Sequence, residues 1–189
     1  MMMRTILILG IAGLLALSSC ELKTPYQNLV AKELASGERY DSLFLGIFFG
    51  MRADSFYEHC FSLNRQRIVK EGMGNTSVLF EPKEFNGEVA MNFYPEFNKE
   101  TEGIRRMPVL FNYYGWAPWN KPYHADSLLP KVLDMFNDWY GGDFLEITHP
   151  DKGSVFVKVN GNRRIRVFAK DDQFVQAIFK DLTQEEAES

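Results

Sequence analysis

The chain has 189 residues, 46% of them hydrophobic and 24% charged, enough for one globular domain with a real core and too few for several. Its 21 Lys and Arg against 25 Asp and Glu leave a net charge of -4. That balance offers no basic excess to hold a nucleic-acid backbone, so no nucleic-acid partner is expected. Two cysteines cannot staple a miniprotein or form a four-thiolate zinc site.

Residues 1–19 carry one cation, Arg4, ahead of the apolar run Ile6 to Leu17, which is broken by Gly10 and Gly13. This is the order of an export signal, and the run is too short to span a bilayer. It ends in Leu17-Ser18-Ser19-Cys20, which resembles the lipobox of bacterial lipoproteins. The resemblance implies that the Cys20 thiol receives a diacylglyceryl group, that the signal is cleaved before it, and that the freed amino group is acylated. Several acyl chains exceed the two-signal threshold for stable anchoring, so the expected membrane partner is reached through lipidated Cys20. Glu21 rather than Asp follows, which by resemblance to enteric lipoproteins implies the outer membrane, with the body facing the periplasm. The readings left open are an ordinary cleaved signal and an uncleaved core helix from Met1.

The spacing then predicts a short helix from Pro25, with Thr24 and Gln27 forming a capping box and Gly37 ending it. Leu43 to Phe49 reads as a strand covered on both sides. A helix over Asp54 to Ile68 places Phe56, Cys60 and Leu63 on one face with Phe61 beside them, capped by Asp54. Thr76 to Glu81, Glu88 to Tyr94 and Arg105 to Tyr114 read as antiparallel strands, with Asn86-Gly87 and the polar stretch Asn98 to Gly103 as turns. A second amphipathic helix opens near Asp126 or Ser127, tolerates Pro130 in its first turn and stops at Gly141-Gly142. Asn160-Gly161 marks a hairpin. A two-residue loop would set Val157 opposite Arg164, and a three-residue loop opposite Ile165. The stretch from Phe174 to Leu182 fits strand or helix, and the strand is preferred.

Strand, helix and antiparallel strands thus occur twice, with cap positions Asp54 and Ser127 at the two helix starts. The expected fold is α+β: two helix-plus-antiparallel-sheet units in tandem, their helices on one face of the sheet. The chain divides into the signal 1–19, a lipidated N-terminus and short helix 20–40, units 41–115 and 116–182, and a polar tail 183–189. Gly46-Ile47-Phe48-Phe49-Gly50-Met51 before a helix resembles the helix start of two families, the small lipoprotein of the outer-membrane barrel assembly machinery and the tandem-repeat β-lactamase inhibitor proteins. That likeness implies a helical layer on a small antiparallel sheet and a protein-binding role. Arg52 stands where those families place Ser or Thr, and the second unit has no Gly-Met, so no functional residue is carried over. Leu34 to Gly37, Tyr40 to Gly46 and Phe49 to Met51 together resemble a family of uncharacterised bacterial lipoproteins, which implies no activity.

Gly-x-Ser-x-Gly, His-Glu-x-x-His, a Walker loop and Cys-x-x-Cys are all missing from the sequence. No catalytic residue, metal ligand or cofactor is assigned. Cys60 follows His59, but helix neighbours do not face each other, so a buried core thiol is the better reading. His59, His124 and His149 are too dispersed for a metal site by spacing. Arg163, Arg164 and Arg166, with Arg105 and Arg106, form either a basic stripe for anionic lipid or glycan, or a solvated face that blunts a sheet edge. Tyr113, Tyr114, Trp116, Trp119 and Tyr123 fall within eleven residues and are the candidate binding residues, either a stacking platform or a hydrophobic plug between the units. The expected role is a non-catalytic, membrane-anchored envelope lipoprotein that binds another envelope protein. A glycan- or small-ligand-binding lipoprotein using the aromatic loop, and an enzyme of unrecognised class, are the alternatives.

Overall fold

The computed structural model describes residues 23–150 and 153–184. The predicted signal segment, Cys20 and most of the predicted polar tail lie outside the described residues. The first helix, α1 (Pro25–Ala35), begins where the capping box predicts: the Thr24 hydroxyl accepts the Gln27 N–H at 3.2 Å and the Gln27 side chain accepts the Thr24 N–H at 2.8 Å. The two longer helices are α2 (Ala53–Arg65) and α3 (Ala125–Tyr140). Neither N-cap residue, Arg52 or His124, makes a side-chain capping bond. Asp54 instead lies in the first turn of α2, near the positive end of the helix dipole.

Each longer helix is followed by an antiparallel meander. After α2 come β1 (Val69–Glu71), β2 (Val78–Phe80), β3 (Val89–Phe93), the two-residue β4 (Glu96–Phe97) and β5 (Ile104–Tyr113). After α3 come β6 (Leu145–His149), β7 (Gly153–Asn160), β8 (Arg163–Ala169) and β9 (Val175–Asp181). All nine strands join one sheet in the order β1-β2-β3-β5-β9-β8-β7-β6, with β4 paired to β5. The last strand of each unit therefore meets its counterpart at the centre, with Met107 opposite Phe179, Val109 opposite Ala177 and Phe111 opposite Val175. The fold is α+β, and the two predicted units share one sheet.

The alternation in β3 and β5 sends Val89, Met91, Phe93, Met107, Val109 and Phe111 into a core shared with α3 residues Leu128, Val132 and Phe136. Phe136 makes tilted or edge-on ring contacts with Phe111, Tyr140 and Phe179 at 5.5 to 5.8 Å, geometries that suit the aromatic quadrupole. Phe61, expected beside the buried face of α2, is instead mostly exposed.

Two further expectations are corrected. Leu43 to Phe49 is not a strand. Leu45 and Gly46 both take positive φ and fold the chain back, so that Leu43 donates to the Ile47 carbonyl at 2.9 Å and Phe49 to that of Asp41 at 2.8 Å. The apolar run is a plug: Phe44 sits edge-on to Phe93 of the first unit at 4.9 Å and to Phe179 of the second at 5.7 Å. A continuous apolar run does not fix period 2, and a tight turn buries Leu43, Phe44, Ile47 and Phe49 while leaving Phe48 exposed.

The hairpin register is neither of the two weighed. Asn160 pairs with Arg163 and Val157 with Arg166, leaving Gly161-Asn162 as the loop, with Gly161 at positive φ in its first position. Asn162 decides this, because its Oδ1 accepts the Tyr40 N–H at 2.7 Å and its amide donates to Asp41 at 2.9 Å. In this register Val157 and Val159 lie away from the main core, as the two-residue loop but not the three-residue loop would place them.

The helices of the two units, α2 and α3, share one core on one face of the sheet, and the N-terminal helix α1, which belongs to neither unit, lies on the other. Tyr26, Leu29 and Val30 cover Val157, Val159 and Leu182 on the opposite side of the sheet.

Candidate functional site

The aromatic loop after β5 is divided by strand alternation and by the start of α3. Tyr113 is buried and lies edge-on to Tyr123 at 5.1 Å, while Trp116 is half-buried and donates its indole N–H to the Asp172 carbonyl at 3.2 Å. These three pack inward. Tyr114 and Trp119 face solvent, Tyr114 donating its hydroxyl to Glu81 at 2.6 Å and Trp119 standing 85% exposed. The loop is thus a plug carrying two outward rings.

A concavity of about 860 Å³ lies elsewhere, between α2, the loop before β2, and the junction of β3 with β4. Two prolines open it. Because Val109 pairs with Phe93 and Arg106 with Glu96, Pro108 stands against the Tyr94-Pro95 step, where neither proline has an N–H for the ladder. The strand breaks there, and Tyr94 is released to the rim. Phe56 lies beneath, edge-on to Tyr57, Tyr94 and Phe97 at 5.7, 6.1 and 6.0 Å.

The hydroxyls of Tyr57 and Tyr94 are 2.5 Å apart across the rim. This bond and partial burial push the Tyr94 hydroxyl up to about 12. Asn92 forms a polar patch in the wall. Its Oδ1 accepts the Met73 N–H at 3.1 Å, while its buried Nδ2 has no partner among the described residues. An amide donor in an apolar cleft is a position from which an incoming carbonyl or hydroxyl oxygen can be held. Sequence reasoning missed this groove. Pro95 and Pro108, each within or beside an otherwise regular strand pattern, were the available signal.

Cys60 lines the same groove, and burial pushes its thiol up to about 11, which suppresses the nucleophilic thiolate. The histidines lie on separate elements. His59 donates from Nε2 to the Leu45 carbonyl at 2.6 Å, His124 to that of Ala117 at 3.1 Å, and His149 ends β6. Among the described residues, no group of three or more His, Cys, Asp or Glu is placed to hold a metal ion. No helix among them is long and apolar enough to cross a membrane.

Arg163 separates from the other arginines of the predicted stripe. It turns to the core side, between the rings of Tyr40 and Tyr140 at 5.6 and 4.5 Å, and donates to the Ser42 carbonyl at 2.7 Å.

Comparison of the chain with protein-family models, with curated proteins and with solved structures finds no match.

Proposed function

We propose that this chain is a non-catalytic lipoprotein of the cell envelope, anchored through Cys20 at the outer membrane and facing the periplasm, whose body holds a segment of another envelope protein in the groove between α2 and the β3–β4 junction. The observation that carries the reading is the groove's makeup. Exposed rings of Tyr57 and Tyr94 flank a cleft of about 860 Å³ with one unpaired amide donor, Asn92 Nδ2, in its wall. Aromatic anchors around a few fixed polar atoms are the composition of protein-binding hot spots, and an extended segment brings the carbonyl that Asn92 lacks. The lipobox supplies the anchor. Helix α1 starts at Pro25, a few residues beyond Cys20, so the body is held close to the bilayer.

The test places a photo-crosslinking residue at Tyr57 and, separately, at the exposed Lys170. Native membranes are irradiated alongside mass spectrometry of the mature N-terminal peptide. The expected result is acyl-modified Cys20, with a discrete protein adduct at Tyr57 that is absent at Lys170 and lost in Cys20→Ser. An unmodified Cys20 overturns the anchor, and identical or empty patterns at the two positions overturn the groove as the binding surface.

The exposure of Trp119 favours a second reading, a glycan or small ligand stacked on its ring. Tryptophan fluorescence titrated with peptidoglycan fragments and oligosaccharides checks it. A saturable change that disappears in Trp119→Phe supports it, and a flat response removes it.

A further inference from the structure

The sheet face opposite the main core carries a second concavity, about 320 Å³, lined by Glu96, Arg105, Arg106, Arg164, Arg166 and Lys180, with Gln184 at its edge. Strand register builds it. Arg106 on β5 pairs with Lys180 on β9, which pairs with Arg164 on β8, so three cations stand side by side across three strands. Arg166 lies two residues along β8 on the same face. Like charges placed directly opposite one another destabilise a sheet, and among the described residues the lining holds one carboxylate, Glu96, which is paired with Arg106 at 2.7 Å and with Arg105 at 3.9 Å.

Neither Arg164 nor Arg166 forms an ion pair among the described residues. The buried Nε of each has no hydrogen-bond partner there. Arg164 is held in place by its bond to the Tyr26 hydroxyl on α1 at 2.7 Å. Burial, and then the charges of Arg164 and Arg106, lower the pKa of Arg166, as expected where cations are gathered out of water. The reading of these arginines as a charged edge is excluded, since β5, β9 and β8 are interior strands. The whole chain is net negative, so the basin is a local concentration of positive charge against the overall sign.

We propose that this basin is a binding site for a phosphate-type oxyanion, held by the guanidinium forks of Arg164 and Arg166 with Arg106 beside them. Planar forks match the oxygens of phosphate in pairs, and an anion relieves the repulsion that the register imposes. The phosphate comes either from a lipid headgroup or from a soluble phosphate compound. The headgroup source rests on the lipid-anchor reading. Tyr26, which touches the basin through Arg164, lies six residues after Cys20, a span of about 20 Å at most.

The test uses the detergent-solubilised full chain. It is repeated with a Glu185→Gln, Glu186→Gln, Glu188→Gln variant so that the chain's own terminal carboxylates cannot mask the site. Thermal melting is followed against inorganic phosphate and pyrophosphate at constant ionic strength, with chloride as reference. Flotation is measured with vesicles of phosphatidylglycerol in phosphatidylcholine and with phosphatidylcholine alone. The expected result is a saturable rise in melting temperature or saturable binding to phosphatidylglycerol. Affinity should fall at least tenfold in Arg164→Gln/Arg166→Gln and stay unchanged in Lys99→Gln, which removes an exposed cation elsewhere. Vesicle binding beyond that given by the free anions assigns the lipid headgroup, and response to the free anions alone assigns a soluble phosphate. The single variant Arg166→Lys, which keeps the charge and loses the fork, gives the same readout if the double variant does not fold. No saturable response in either arm, or an equal response in the arginine and Lys99 variants, overturns the site. Both arms are independent of groove occupancy and of Tyr57 crosslinking.

Discussion

Lys158 of β7 caps the far end of α3: its ammonium donates to the Gly142 carbonyl at 2.6 Å, to the Gly141 carbonyl, and to Asn137 Oδ1 at 2.9 Å. The side chain is 3% exposed, and the hairpin register turns it to the helix side by pairing it with Ile165. A cation at the negative end of a helix dipole answers carbonyls that the helix leaves open, and burial lowers the Lys158 pKa. Lys158→Met removes all three bonds and is expected to cost about 2 kcal/mol. Urea unfolding measures it, and a change within about 0.5 kcal/mol would show that solvent replaces the lysine.

Gly161 is the pivot of the same hairpin. Its φ is +51°, and a Cβ at this position would overlap the Glu38 carbonyl oxygen. Gly161→Ala is expected to destabilise by about 2–3 kcal/mol through backbone strain and displacement of the segment after α1. Asn162→Ala should cost a similar amount by leaving the Tyr40 N–H without its acceptor. Paired denaturation curves decide both.

The thiol of Cys60 supplies a pH dependence whose sign is fixed. Its pKa is about 11 when folded, against 9.0 for the ordinary thiol, so between those values the unfolded chain binds fewer protons than the native one. The stability difference between the parent and Cys60→Ala is therefore constant below pH 9 and falls as pH rises from 9 through 11. Urea curves at pH 8, 10 and 11 check the slope. In the Cys20→Ser background, alkylation of Cys60 at pH 8 should run about 100-fold slower in the native than in the unfolded protein, following the thiolate fraction. Equal rates would place the thiol in solvent.

Two substitutions separate the halves of the aromatic loop. Tyr113→Ala empties a buried ring site and is expected to cost about 3–5 kcal/mol, whereas Trp119→Ala should stay within about 0.5 kcal/mol. Thermal melts of both variants read the contrast, and a large loss for Trp119→Ala would mean that its ring packs on the body.

The elements legible in the sequence were those defined by short-range chemistry. The capping box at Thr24 and Gln27, the apolar stripe from Leu128 to Phe136, and the alternation of Val89, Met91 and Phe93 each lie within a few turns or one strand. Period and capping depend on neighbours along the chain. β1, β4 and β6 carry no such signal, the first two having three and two residues and β6 being largely exposed and mostly polar.

Features that depend on distant residues were decided by the tertiary structure. Asn162 set the hairpin register by bonding Tyr40 and Asp41, and that register sent Lys158 to α3 and Val157 to α1. The groove required Pro108 to meet the Tyr94-Pro95 step on a neighbouring strand. The basin required β5 and β9 to pair across the two units, which placed Arg106 beside Lys180 and Arg164. Sequence by itself determined which segments could be helix or strand, and it carries the stretch Leu17-Ser18-Ser19-Cys20 that resembles a lipobox. Which side chains converge was left to strand pairing, because a shift of one residue reverses every face of a strand.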